Sequence, residues 1–69
     1  MFSYAHLPEG LAIRREADGA TVLLPAGQRT RRFIFEMECA RRNALDTEDY
    51  AECFDAICAV HFTQEEGEI

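Results

Sequence analysis

Three cysteines, Cys39, Cys53 and Cys58, and two histidines, His6 and His61, are the side chains of this chain best suited to hold a metal or to do redox chemistry. Their spacing argues against both uses. On a helix Cys53 and Cys58 would point about 140° apart and could not share one tetrahedral ion, although Cys58 and His61, at i,i+3, could. Only one such close pair exists, where a structural zinc site draws pairs from two elements. An odd number of cysteines without CxxC spacing fits free, buried, inert thiols in a reducing cytoplasm. Catalysis has as little to draw on. There is a single serine, Ser3, with no glycine-rich phosphate loop and no nucleophile paired with a base. The neighbouring carboxylates Glu36/Glu38 and Glu65/Glu66 read as solvated. We therefore expect no metal, no cofactor, no catalytic residue and no enzyme.

The charged residues are more informative. Seven arginines, no lysine and 13 acids give a net charge of −6 over 69 residues, and the sign is unevenly distributed. Residues 1–34 are mildly basic; residues 35–69 carry ten of the acids, and no arginine follows Arg42. Glu48, Asp49, Glu52 and Asp55 fall at helical spacing and form an acidic stripe that could dock on a basic protein surface, in effect imitating phosphates. The basic counterpart is Arg29, Arg31 and Arg32. Guanidinium is planar and weakly hydrated, and its forked donors match carboxylate or phosphate.

These side chains need elements to position them, and the chain is long enough for one small domain, 1–69, with a thin core. Ten of its 33 hydrophobic residues are alanine, and a chain this short hides only about 60% of its unfolded surface. A hairpin is expected over about 11–24: Asp18-Gly19 between apolar runs is the preferred two-residue type I′ turn, pairing Arg15 with Val22 and Ile13 with Leu24. Leu11, Ile13, Val22 and Leu24 then share one face, and Pro25 ends the second strand. Residues 28–43 fit two patterns. As a strand, Phe33, Phe35, Met37 and Cys39 alternate with Ile34, Glu36 and Glu38; as a helix, Phe33, Met37, Ala40 and Ala44 line one face. A tight turn at Ala26-Gly27 would place arginines on the apolar face of the hairpin, which favours a helix over about 29–42, stopped by Asn43 in a left-handed conformation.

The last helix is expected over about 47–62, capped by Asp46, with Leu45 and Tyr50 as a hydrophobic staple. Its buried face would be Tyr50, Cys53, Phe54, Ile57 and His61, with His61 near the C-terminal end. An acidic tail, 64–69, would fray. The fold class is thus α+β, a β-hairpin followed by an αα-hairpin, with a three-stranded meander plus one C-terminal helix as the alternative. Under the helical reading Phe35 points away from Phe33 and Met37. With Ile34 and Cys39 it forms a second apolar face, which predicts a homodimer. No apolar stretch approaches the roughly 20 residues of a membrane span. The N-terminus has neither the basic start nor the apolar run of a secretory signal, so a cytoplasmic location is expected.

Two functional expectations follow. The first is a non-catalytic protein-protein interaction module, an inhibitor or modulator that docks Glu48, Asp49, Glu52 and Asp55 on a basic partner. Phage- and plasmid-encoded inhibitors of host machinery, anti-CRISPR proteins among them, are a class of small acidic proteins of this kind. The second rests on the order strand, Leu24-Pro25, helix, short turn, helix. Over about residues 20–62 that order loosely resembles the ribbon-helix-helix DNA-binding family. The resemblance implies a dimer whose paired strands enter the major groove, with Thr21 and Leu23 at the base-reading positions and Arg29, Arg31 and Arg32 as phosphate contacts. The chain departs from that pattern in an extra preceding strand, a first helix about one turn too long, and its net negative charge.

Overall fold

Pro8 and Glu9 reverse the chain between two extended segments, and this turn opens the structure. The computed structural model describes residues 1–66. Strand β1 (Phe2–Leu7) runs into β2 (Gly10–Arg15) and then β3 (Thr21–Pro25), forming an antiparallel sheet in the order β1-β2-β3; α1 (Gln28–Asn43) and α2 (Thr47–Glu66) follow. The architecture is α+β, with both helices packed on one face of the sheet. Residues 28–43 are helical. The three-stranded sheet is completed from the N-terminus, by a strand that the sequence reading did not assign.

The β2–β3 hairpin closes differently from the two-residue turn expected. Ile13 pairs with Val22 and Leu11 with Leu24, a shift of two residues. The loop is Glu16 to Gly19, closed by the Arg15 N–H donating to the Ala20 carbonyl at 2.8 Å and the Gly19 N–H to the Arg15 carbonyl at 2.8 Å. Asp18 is the physical reason. Its carboxylate accepts the Ala20 N–H at 3.1 Å and two bonds from the Arg15 guanidinium at 3.0 and 2.7 Å, so it braces a wider loop with Gly19 at φ 75°. A shift of two preserves the faces. Leu11, Ile13 and Leu24 are therefore buried as their alternation requires, and join Phe33, Met37, Cys58 and Phe62 in the core.

Strand β1 widens that core. Tyr4 sits edge-on to Phe33 at 5.2 Å and stacks on Phe54 at 5.7 Å, while Phe2 meets Phe62 at 5.7 Å. Gly10, where β2 begins, cannot be another residue without displacement. Its φ is 153°, and a Cβ there would lie 2.0 Å from the Leu24 carbonyl oxygen. The opposite sheet face, with Ala5, Ala12 and Leu23 in one row, is left uncovered.

In α1, Phe33 and Met37 are buried and Ala40 half-buried, as the helical period demands, while Ala44, expected on the same face, lies just past the helix end. Asn43 does not take a left-handed conformation: no described residue other than glycine has positive φ. Its Nδ2 instead donates to the Cys39 carbonyl at 2.9 Å, and the extended Ala44 supplies an N–H to the Ala40 carbonyl. The helix thus stops on a side-chain cap. Helix α2 is capped by Asp46, whose Oδ1 accepts the Asp49 N–H at 2.8 Å, while Asp49 Oδ2 accepts the Leu45 N–H at 3.1 Å. The Leu45–Tyr50 staple is absent, since Leu45 is 90% exposed. The helix also extends past Phe62, so Gln64, Glu65 and Glu66 belong to it and only 67–69 of the expected acidic tail lie outside the described residues.

Candidate functional site

Four groups of side chains bear on function: the N-terminal turns of α2, the outer face of α1, the cleft between the helices, and the thiols.

The acidic stripe of α2 divides by its contacts. Glu48 and Glu52 are exposed and form no ion pair among the described residues. Asp49 sits beside them, half-buried and engaged in the cap. Asp55 turns toward the sheet and accepts the Phe2 backbone N–H at 3.2 Å, tying α2 to β1. Five acids elsewhere lie against arginines: Glu16 against Arg14, Asp18 and Glu66 against Arg15, Glu65 against Arg29, and Glu36 against Arg32. Glu48 and Glu52 thus set two carboxylates without an ion pair side by side near the N-terminal end of α2, and the helix dipole favours the charge of Glu48 in the first turn.

On α1, Phe35 is 66% exposed in the middle of the helix. Arg31, Arg32, Glu38 and Arg42 surround it on the same face, all exposed. Cys39 is half-buried one turn on. Ile34, expected beside Phe35 in a dimer face, instead packs against the core. Of the three arginines that a phosphate-binding use would need, Arg29 is paired with Glu65 and Arg32 with Glu36 at 3.4 Å. Arg31 has no ion pair among the described residues. Thr21 and Leu23 are exposed on the open face of the sheet.

Between the helices lies a cleft of about 240 Å³, bordered by Arg29, Arg32, Glu36, His61 and Gln64. His61 is not a helix-end residue. It is 5% exposed, edge-on to Phe33 at 5.2 Å, with Nε2 2.8 Å from Glu36 Oε1 and Nδ1 buried without a partner. The pairing missed by the sequence reading joins residues 25 apart on different helices; only correct docking of α1 on α2 reveals it. A histidine oriented by a carboxylate is the base half of a nucleophile–base pair. The residues that border the cleft include no serine, threonine or cysteine, and the His61–Glu36 contact ties α2 to α1.

The cysteines are free. Cys58 is buried in the core, and burial, aided by the Asp55 charge, pushes its thiol up to about 12. Cys53, expected on the buried face, is exposed, because α2 turns Phe54, Ile57, Cys58 and His61 inward. Among the described residues no three His, Cys, Asp or Glu side chains converge as metal ligands, and no helix is long and apolar enough to cross a membrane. Comparison with protein-family models, with curated proteins and with solved structures finds no match.

Proposed function

We propose that this protein is a non-catalytic interaction module that docks the N-terminal turns of α2 on a basic surface of a partner protein. The observation that carries the reading is the position of Glu48 and Glu52: exposed, adjacent on one helix face, and without an ion pair among the described residues, in a chain where Glu16, Asp18, Glu36, Glu65 and Glu66 each lie against an arginine. Asp49 adds negative charge at the rim. Asp55 serves the fold through Phe2 and lies outside the docking set. An uncompensated acidic face steers an oppositely charged partner into register, and its contribution falls with salt. Action in the manner of a small inhibitor, covering a basic surface that another ligand would use, is the form of the proposal that suits a chain of this size.

The test is capture from extract of the native host by the intact chain and by an E48K/E52K variant whose circular dichroism matches it. A partner retained by the former and lost by the latter supports the reading. Equal retention by both removes it.

A further inference from the structure

Arg31 and Glu38 lie on the same side of Phe35, one turn before it and one turn after it along α1. Both are exposed, and neither has an ion pair among the described residues. Phe35 between them is 66% exposed, although a phenylalanine gains by leaving water and sits on a helix with no covering element. A two-fold axis through Phe35, perpendicular to the helix, converts this pattern into a self-complementary surface. The axis reverses the helix direction and keeps each side of the face on its own side. Residue 35 then meets its own copy, residue 31 meets residue 38 of the second chain, and residue 32 meets residue 39. Every Arg31 thereby acquires a Glu38, twice per dimer, with the two phenylalanines stacked between the pairs. Arg32, which holds Glu36 at 3.4 Å and is itself largely exposed, can swing over Cys39 of the second copy at little cost.

We propose that a second copy of this chain is the occupant of the outer face of α1, bound as an antiparallel helix pair centred on Phe35 with reciprocal Arg31–Glu38 ion pairs. Charge complementarity specifies both the partner and the register. A parallel pairing would set Arg31 against Arg31 and Glu38 against Glu38, which like-charge repulsion disfavours. Isologous contacts of this kind are the commonest way for a small chain to close an assembly. One helix face is a small interface, so the dimer dissociates in the micromolar range rather than at nanomolar concentration. The surface is separate from Glu48 and Glu52, so this proposal stands or falls independently of partner docking.

Sedimentation equilibrium of the full chain tests it, with R31E, E38R, R31E/E38R and F35A compared at matched helicity. The native chain is expected to shift from its 7.9 kDa monomer to twice that mass as concentration rises. Each single charge reversal weakens association about tenfold or more, the double reversal restores it to within a few fold, and F35A abolishes it. In addition, R32C in a C53S background is expected to form an interchain disulfide with Cys39 under mild oxidation. Within one chain these residues are two turns of helix apart, about 10 Å, beyond the reach of a disulfide. A native chain that remains monomeric, a double reversal no better than the single ones, or a cross-link joining 39 to 39 instead of 32 to 39 would overturn the proposal.

Discussion

Replacing Asp55 by alanine separates the two roles open to an acidic residue on α2. Its carboxylate accepts the Phe2 N–H at 3.2 Å, and Phe2 in turn rests on Phe62 at 5.7 Å, so the bond fastens the start of β1 to the helix that covers it. A hydrogen bond to a charged acceptor contributes about 1.5–3 kcal/mol; this one is half-buried and longer than the best charge-assisted geometry, so about 1–2 kcal/mol is the appropriate range. Against the few kcal/mol that stabilise a chain of this length that is a large fraction. At roughly 4–8 °C per kcal/mol for a small domain, the melting midpoint falls by about 5–15 °C. Asparagine keeps an acceptor at the same place, so Asp55→Asn is expected to recover about half of the loss. Thermal melts followed by circular dichroism read both variants. Partner capture, measured well below the melting midpoint, is expected to be unchanged. An Asp55→Ala chain that melts with the native protein refutes the structural role; one that loses the partner without losing stability returns Asp55 to the docking face.

Three further outcomes follow from particular contacts. Asp18 is held near 2, well below the ordinary carboxylate value of 3.8, first by its bond from Arg15 and then by the Ala20 N–H. A depressed folded-state value means that its contribution to stability is complete above about pH 4 and is lost as the pH falls toward 2. The difference in melting midpoint between native protein and Asp18→Asn should therefore shrink across that window; a difference independent of pH would contradict the pairing. Gly10→Ala, with φ 153° and its new Cβ 2.0 Å from the Leu24 oxygen, is expected to cost about 3 kcal/mol or more in urea titration, and a change below 1 kcal/mol would show that the β2 start tolerates a side chain. With a thiol reagent near neutral pH, mass spectrometry should find Cys53 modified first and Cys58, buried and pushed up to about 12, only on unfolding. Rapid native labelling of Cys58 would contradict the packing of α2.

The parts of this fold legible in the sequence are those set by local periodicity and punctuation. Phe33–Met37 spacing fits a strand as well as a helix, and α1 is legible as a helix because a tight turn at Ala26-Gly27 would put arginines on the apolar face of the hairpin; the start of α2 follows from the Asp46 cap, and the apolar face of the hairpin from alternation in Leu11, Ile13, Val22 and Leu24. What escaped depends on contacts that local pattern does not encode. Strand β1 was hidden because Ser3, Ala5 and His6 dilute its apolar alternation; Pro8-Glu9-Gly10 was the turn signal that could have exposed it. The hairpin register turned on Asp18 bonding to Arg15 and Ala20, side-chain contacts within the loop that outcompeted the two-residue turn. Exposure of Phe35 was legible once the segment was read as a helix, whereas the withdrawal of Ile34 into the core was not, because it depends on how far α1 rolls against the sheet. The acidic stripe looked uniform in sequence. The approach of β1 to Asp55 and the cap at Asp49 divide it into two carboxylates engaged by the fold and two free ones, Glu48 and Glu52.

The most direct test of the central claim is the affinity of the captured partner, measured for the native chain and for E48K/E52K between about 50 and 500 mM salt, a range over which exposed charges pass from weakly to strongly screened. Native binding is expected to weaken steeply across it, and the variant is expected to bind many-fold more weakly at low salt with a flat or inverted dependence. Native affinity that is insensitive to salt, or a variant that binds as tightly as the native chain, would contradict the assignment of Glu48 and Glu52 as the docking face.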